Sequence, residues 1–363
     1  MARLAVALTL ACVFLTAGSA GAGETTLVLL QHKQADRPPL EQLVGARLVV
    51  GMEGTMPSLS LLERIRRGRI AGVILMGHNV RSAPQVRALT AALRAAARSA
   101  GRRILIVTDQ EGGEVRRFRW APPAAPASEL GRLGEAALRR RGRETGTALD
   151  RLGVDVDLAP VADVPLDARS FVAIQKRGFS NVASRVAKAV TSFSAGLLDA
   201  GVAPTLKHFP GLGRARRTTD RVAVKLTADR ATLAPALVPY RRAIAAGVAP
   251  LVMLSNASYT AYGGEPAAWS PEVIGVLRGL RFRGVTITDA LEPLAATRGV
   301  SLEETSVRAA AAGVDLLLFV GSERSSARAY DALLAAGRSG RLSVEALERS
   351  ATRIDQLVAT YSG

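Results

Sequence analysis

The chain has 363 residues, 48% hydrophobic and only 4% aromatic, which is ample for one large buried core. Its formal charge of +17 comes from arginine scattered along the sequence without aromatic interleaving or a recognition motif. That pattern excludes a specific nucleic-acid reader and leaves anionic partners such as a cell-wall polymer open.

Residues 1–23 read as an export signal. Arg3 gives a short basic start, Leu4 to Ala17 an apolar run, and Ala20-Gly21-Ala22 a small-residue cleavage point. The run is short for a membrane span; a retained N-terminal anchor is the alternative. Export would leave a mature chain over 24–363, secreted or held in the cell envelope, with no stable membrane span. The only cysteine, Cys12, falls within the signal, so the mature chain is expected to hold no disulfide and no cysteine nucleophile or metal site.

Eight Val-, Ile- and Leu-rich runs follow: 46–52, 71–77, 104–109, 155–161, 203–209, 251–257, 284–290 and 315–321. Each is almost continuously apolar, as strands buried on both faces of a parallel sheet are. Between them lie stretches with apolar residues three and four apart, such as 85–101 and 184–201, each closed by glycine. Eight such alternations in one domain predict an α/β fold, a (β/α)8 barrel of the TIM type; an open doubly wound sheet is the alternative.

In a barrel the strand C-termini build the active site. Those ends carry Asp109 followed by Gln110 and Glu111, then Asp157, Lys207-His208, Ser255-Asn256 and Asp289. Carboxylates at Asp109 and Glu111 suit paired bonds to sugar hydroxyls or a cation, or else a helix cap and a solvent-facing acid. Lys207 and His208 are neighbours on an extended strand, so they point to opposite faces unless a bulge or the strand's end redirects one. Asp289 stands in TDAL without another charge nearby, and burial there demands either a function or a salt bridge. His32, His78 and His208 lack metal-ligand spacing, and no phosphate loop, dinucleotide fingerprint or GxSxG elbow occurs. No metal or cofactor is therefore expected, and carboxylate chemistry remains.

DQEGG, LAPVADV, KHFPG, SNASY and ITDAL, in this order over about residues 40–325, resemble glycoside hydrolase family 3. The similarity is greatest to its single-domain β-N-acetylglucosaminidases. The resemblance implies a retaining double displacement on a terminal β-linked sugar, a carbohydrate substrate that includes cell-wall fragments, and Asp289 as nucleophile. It also implies sugar contacts from Asp109, Lys207, His208 and an arginine. Arg177 of KRGFS is the better placed, although Gly178 replaces the family's serine; Arg169 of ARSF is the competitor.

The family's acetylglucosaminidases carry their acid/base in a loop after KHFPG that ends Asp-Ser-His. Here KHFPGLGRARRTTD has Leu212 for the loop's first histidine, Thr218-Thr219 for Asp-Ser, and Asp220 for the catalytic histidine. Asp220 then serves as acid/base, or Glu111 or Glu292 does, or the chain is a weak or inactive glycan-binding homologue. Nearby Arg214, Arg216, Arg217 and Arg221 would hold Asp220 ionised unless they point to solvent. The sequence after 325 is helix-like, so no acid/base from a second domain is expected. A β-glucosidase-like specificity is the neighbouring alternative.

Overall fold

The computed structural model describes residues 38–363; the signal expected over 1–23 lies outside them. Each of the eight apolar runs supplies one strand: β1 (Leu48–Val50), β2 (Gly72–Leu75), β3 (Leu105–Thr108), β4 (Val156–Asp157), β5 (Ala203–Phe209), β6 (Leu251–Leu254), β7 (Val285–Thr288) and β8 (Leu317–Phe319). All pairings between them are parallel, in the order β7-β6-β5-β4-β3-β2-β1-β8. The ring closes through a parallel bridge between Ile287 and Leu316 and the hydrogen bonds from Thr288 N to Leu316 O and from Leu316 N to Thr286 O, 3.0 and 2.8 Å. Closure makes the fold a (β/α)8 barrel and disposes of the open-sheet alternative.

Strand alternation sorts the apolar residues into two cores. Val49, Ile74, Leu105, Val107, Val156, Met253, Ile287 and Leu318 fill the barrel interior, and their sequence neighbours Val50, Val73, Ile106, Val252 and Leu317 pack outward against helices. The last helix, Val344–Tyr361, inserts Ile354 and Leu357 into the interior cluster. Ser362 Oγ donates to Ile104 O, and Arg353 pairs with Asp315, so this helix closes the end of the barrel where the strands begin. The opposite mouth is left for chemistry.

The expected helices over 85–101 and 184–201 form as Ala83–Arg98 and Ala183–Asp199. Ser82 caps the first by accepting from Gln85 N. The run over 155–161 yields a much shorter strand than expected. Pro160 has no N–H to give the ladder, and pairing resumes only as a bridge between Val161 and Lys207. Among the described residues no helix is long and apolar enough to cross a membrane.

Candidate active site

One further inward step along each strand reaches Met76, Asp109, Lys207, Asp289 and Val320, and all five line a cleft of about 370 Å3. Ile74, Leu158, Met253 and Leu318, the uppermost apolar layer of the interior, form its floor. The volume lies in the range of small-molecule sites. Interior alternation that is apolar below becomes charged above, which makes the floor greasy and the walls ionic.

Two carboxylates and three cations form one wall. Lys207 Nζ donates to Asp109 Oδ1 at 2.8 Å and lies 2.7 Å from Glu111 Oε1. Arg177 holds Glu111 through two bonds of 2.8 Å, and Arg117 Nη2 reaches Asp109 Oδ2 at 3.0 Å. Burial pushes both carboxyls upward, but the cations outweigh it: Lys207 and Arg117 hold Asp109 well below the usual range, and Arg177 with Lys207 holds Glu111 at about 2. Burial lowers Lys207, yet Asp109 and Glu111 raise it further, so its ammonium persists at all ordinary pH. Glu111 is thereby committed to an ion pair and is unfit to carry a proton at neutral pH.

Lys207 and His208 both line the cleft. The ladder between β5 and β6 is irregular between Leu206 and Phe209, where the Lys207–His208 peptide is cis, and strict alternation fails there. Asp163 secures the result. Its Oδ2 accepts from His208 Nδ1 at 2.7 Å, while Oδ1 accepts from the backbone N–H groups of Leu212 at 2.7 Å and His208 at 3.3 Å. Sequence reading passed over Asp163; its signal was a carboxylate inside the otherwise apolar VADV stretch. Beneath them Asp157 accepts from Gln110 N at 2.9 Å, and burial pushes its carboxyl up to about 7.

Asp289 follows β7. Its Oδ1 accepts from Ala290 N at 2.8 Å, and Oδ2 accepts no hydrogen bond from the described residues. Burial raises its pKa; His208 opposes this and the charge of Asp220 adds to it. Asn256 Nδ2 donates to Ala290 O at 2.7 Å, and Ser255 Oγ bonds Tyr259 OH at 2.8 Å. Asn256 thus holds the backbone beside Asp289 and Ser255 its own turn, and neither lines the cleft.

The loop carrying Asp220 is docked on the segment after β4. Gly213 O accepts from Asp167 N, Ala215 O accepts from Phe171 N, and Arg216 pairs with Asp167 at 2.7 Å. A Cβ on Gly213 would sit 1.6 Å from Val164 O, so only glycine permits this approach. Thr218, Thr219 and Asp220 reach the cleft wall, where Thr218 Oγ1 donates to Asp220 Oδ2 at 2.9 Å. Arg214, Arg216, Arg217 and Arg221 are exposed, and among the described residues none forms an ion pair with Asp220.

Arg177 lines the cleft, whereas Arg169 is exposed and 3.7 Å from Asp167. A side chain in place of Gly178 would meet Pro165 Cγ at 2.4 Å, which accounts for glycine where the resemblance expects serine. Glu292 accepts from Val320 N and Gly321 N, fastening the end of β8 rather than facing the cleft. No group of three or more His, Cys, Asp or Glu able to hold a metal ion occurs among the described residues.

Residues 41–357 match the glycosyl hydrolase family 3 N terminal domain. The chain belongs to glycoside hydrolase family 3. It is 32% identical, over 88% of its length and 93% of the relative's, to an uncharacterized secreted glycosyl hydrolase of Arthroderma benhamiae. It is 36% identical to a beta-hexosaminidase of Stenotrophomonas maltophilia, over 67% of this chain and 73% of that one. A family 3 beta-N-acetylglucosaminidase structure from Paenibacillus superposes with a TM-score of 0.82 at 31% identity, covering 88% of this chain; the chain spans 62% of that longer protein. This family 3 member is thus a β-hexosaminidase-like glycosyl hydrolase, and its cleft sits where a barrel glycosidase holds its sugar.

Proposed function

We propose that the protein is an exported, retaining β-N-acetylhexosaminidase that removes terminal N-acetylglucosamine from cell-wall-derived glycans, with Asp289 as nucleophile and Asp220 as acid/base. The observation that carries this is the convergence of Asp289 and Asp220 on one cleft, in which the charge of Asp220 acts on Asp289. Export is supported by the basic-apolar-small N-terminal pattern and by the secreted relative; the hexosaminide is supported by the names of the similar proteins.

Asp109, Lys207, Arg177 and His208 would seat the terminal sugar through its hydroxyls, with charge-assisted bonds that the ion-pair wall holds ready. Asp289 Oδ2 would then attack the anomeric carbon. The leaving oxygen would take a proton from Asp220, giving a glycosyl-aspartate. In the second step Asp220 would remove a proton from water, which displaces Asp289 and releases the sugar with retained configuration.

The test is hydrolysis of an aryl β-N-acetylglucosaminide by the chain from Glu24 onward, beside Asp289→Asn. The variant is expected to lose about four orders of magnitude or more in turnover. A wild-type chain that is silent on this substrate and on other aryl glycosides would overturn the reading in favour of a glycan-binding barrel.

A further inference from the structure

Gln110 separates the two carboxylates of the ion-pair wall, yet it does not face the cleft. Its buried side chain is spent on the following loop. The two N–H groups of Nε2 are shared among the carbonyls of Phe118, Ala121 and Pro122, each at 3.1 Å, and Oε1 accepts from Phe118 N at 3.1 Å. Four bonds from one amide nail down residues 118–122, and the residue this holds outward is Trp120. Its indole is 49% exposed and tilted against the buried Phe118 ring at 6.0 Å. An aromatic ring of this size, fixed and wet, is a binding surface in search of a ligand.

Trp120 borders a groove of about 570 Å3 that shares no residue with the catalytic cleft. Arg116, Arg119 and Arg141 line it together with the exposed Leu133 and a single carboxylate, Glu129. Arg116 and Arg119 have no ion-pair partner among the described residues, and Arg116 Nε is buried without a hydrogen-bond acceptor. By contrast Arg117, the next residue, is paired to Asp109, and Arg141 to Glu144. Strand alternation explains the division: Val115 and Arg117 line the cleft, and Arg116 between them lines the groove on the other side.

We infer that this groove is a second carbohydrate site, which takes a carboxylate-bearing saccharide with one ring stacked on Trp120 and its carboxylate held by Arg116 and Arg119. Arginine's fork fits a carboxylate bidentately, and an indole face suits the apolar C–H face of a pyranose. The excess of cations over Glu129 selects the acidic ligand over a neutral chitin-type chain. The site would anchor an acidic glycan on the surface beside the cleft; its saccharide class rests on the glycosidase reading, but not on which sugar the cleft releases.

The test uses the full chain carrying Asp289→Asn and a tetrasaccharide of alternating N-acetylglucosamine and N-acetylmuramic acid, beside the same tetrasaccharide with its carboxylates reduced to alcohols. The chain has two tryptophans and Trp269 is buried, so fluorescence reports on Trp120. The acidic probe is expected to change the emission and to bind about tenfold tighter than the reduced one. Arg116→Gln with Arg119→Gln should erase that preference, and Trp120→Phe the emission change, while thermal unfolding and aryl-glycoside turnover stay within about twofold of the parent with Asp289 intact. Equal binding of both probes, an emission change that persists in Trp120→Phe, or an equal loss in Arg140→Gln with Arg143→Gln would overturn the inference. A parent silent on aryl glycosides but selective for the acidic probe would sink the proposed activity and leave the groove standing.

Discussion

Asp163 holds His208 and the loop leading to Asp220 with one carboxylate: Oδ2 lies 2.7 Å from His208 Nδ1 and Oδ1 2.7 Å from Leu212 N. Both donors lie in KHFPGLG, so a single buried group sets the strand end that lines the cleft and the start of the loop that brings Asp220 to it. With Nδ1–H donating to this carboxylate, Nε2 is the ring nitrogen left outside the pair. Asp163→Ala leaves three N–H groups without acceptors and is expected to cost about 3 kcal/mol of stability, measured by urea unfolding. Asp163→Asn keeps an acceptor for Leu212, should cost less stability, and should still lower kcat/KM by about tenfold or more.

Asp220→Asn should separate substrates by leaving group. A natural alkoxide needs a proton as it departs, so disaccharide cleavage is expected to fall by about two to four orders of magnitude. Formation of the glycosyl-enzyme from an aryl glycoside with an acidic phenol should be nearly unchanged. Pre-steady-state phenol release checks this; equal losses on both substrates would remove Asp220 from the proton path.

With Asp289 as the proposed nucleophile, active only when ionised, the acid limb of the pH–rate profile should belong to it. Burial raises its pKa and the Asp220 carboxylate raises it further. Removing that charge in Asp220→Asn therefore lowers the Asp289 pKa, and the acid limb measured with an activated aryl glycoside should move to lower pH. A shift to higher pH would contradict the assignment.

The same electrostatics argue against Glu111 as the acid/base, since Arg177 and Lys207 overcome burial and hold its carboxyl well below the usual range. Glu111→Gln strands the buried Arg177 and leaves Lys207 to Asp109 alone, with an expected loss of about 3–5 kcal/mol of stability. Its sugar KM should rise, while the basic limb of the pH profile keeps its position. A displaced basic limb would return Glu111 to the list of proton carriers.

Asp157 makes stability fall as pH rises. Burial lifts its carboxyl from the ordinary 3.8 to about 7, so the folded state holds a proton that the unfolded chain has released over that interval. Stability from this group is complete below about pH 4 and lost through pH 7, an effect on the order of 4 kcal/mol at most. Asp157→Asn should therefore gain on wild type between pH 4 and 8 in chemical denaturation. A difference that is flat with pH would show that the carboxyl stays ionised.

Much was settled by the chain alone. Continuous apolar runs ending in charge predicted eight strands and the mouth where Asp109, Lys207 and Asp289 meet, because a period of two and a buried parallel sheet leave few other arrangements. The family motifs added Arg177 and Asp220, which periodicity cannot reach. Tertiary structure decided what depends on neighbours distant in sequence. It put Glu111 in the grip of Arg177 and Lys207, turned Glu292 away to the end of β8, and gave Asp163 its place beneath His208. It also set the arginines around Asp220 out in solvent and paired Arg216 to Asp167. Ion pairs form between residues as distant in sequence as Lys207 and Asp109, 98 positions apart, and Arg338 and Glu41, 297 apart, and their energies depend on separation and burial. Neither quantity is written in a one-dimensional string, so the chain named the charged groups and the barrel chose their partners.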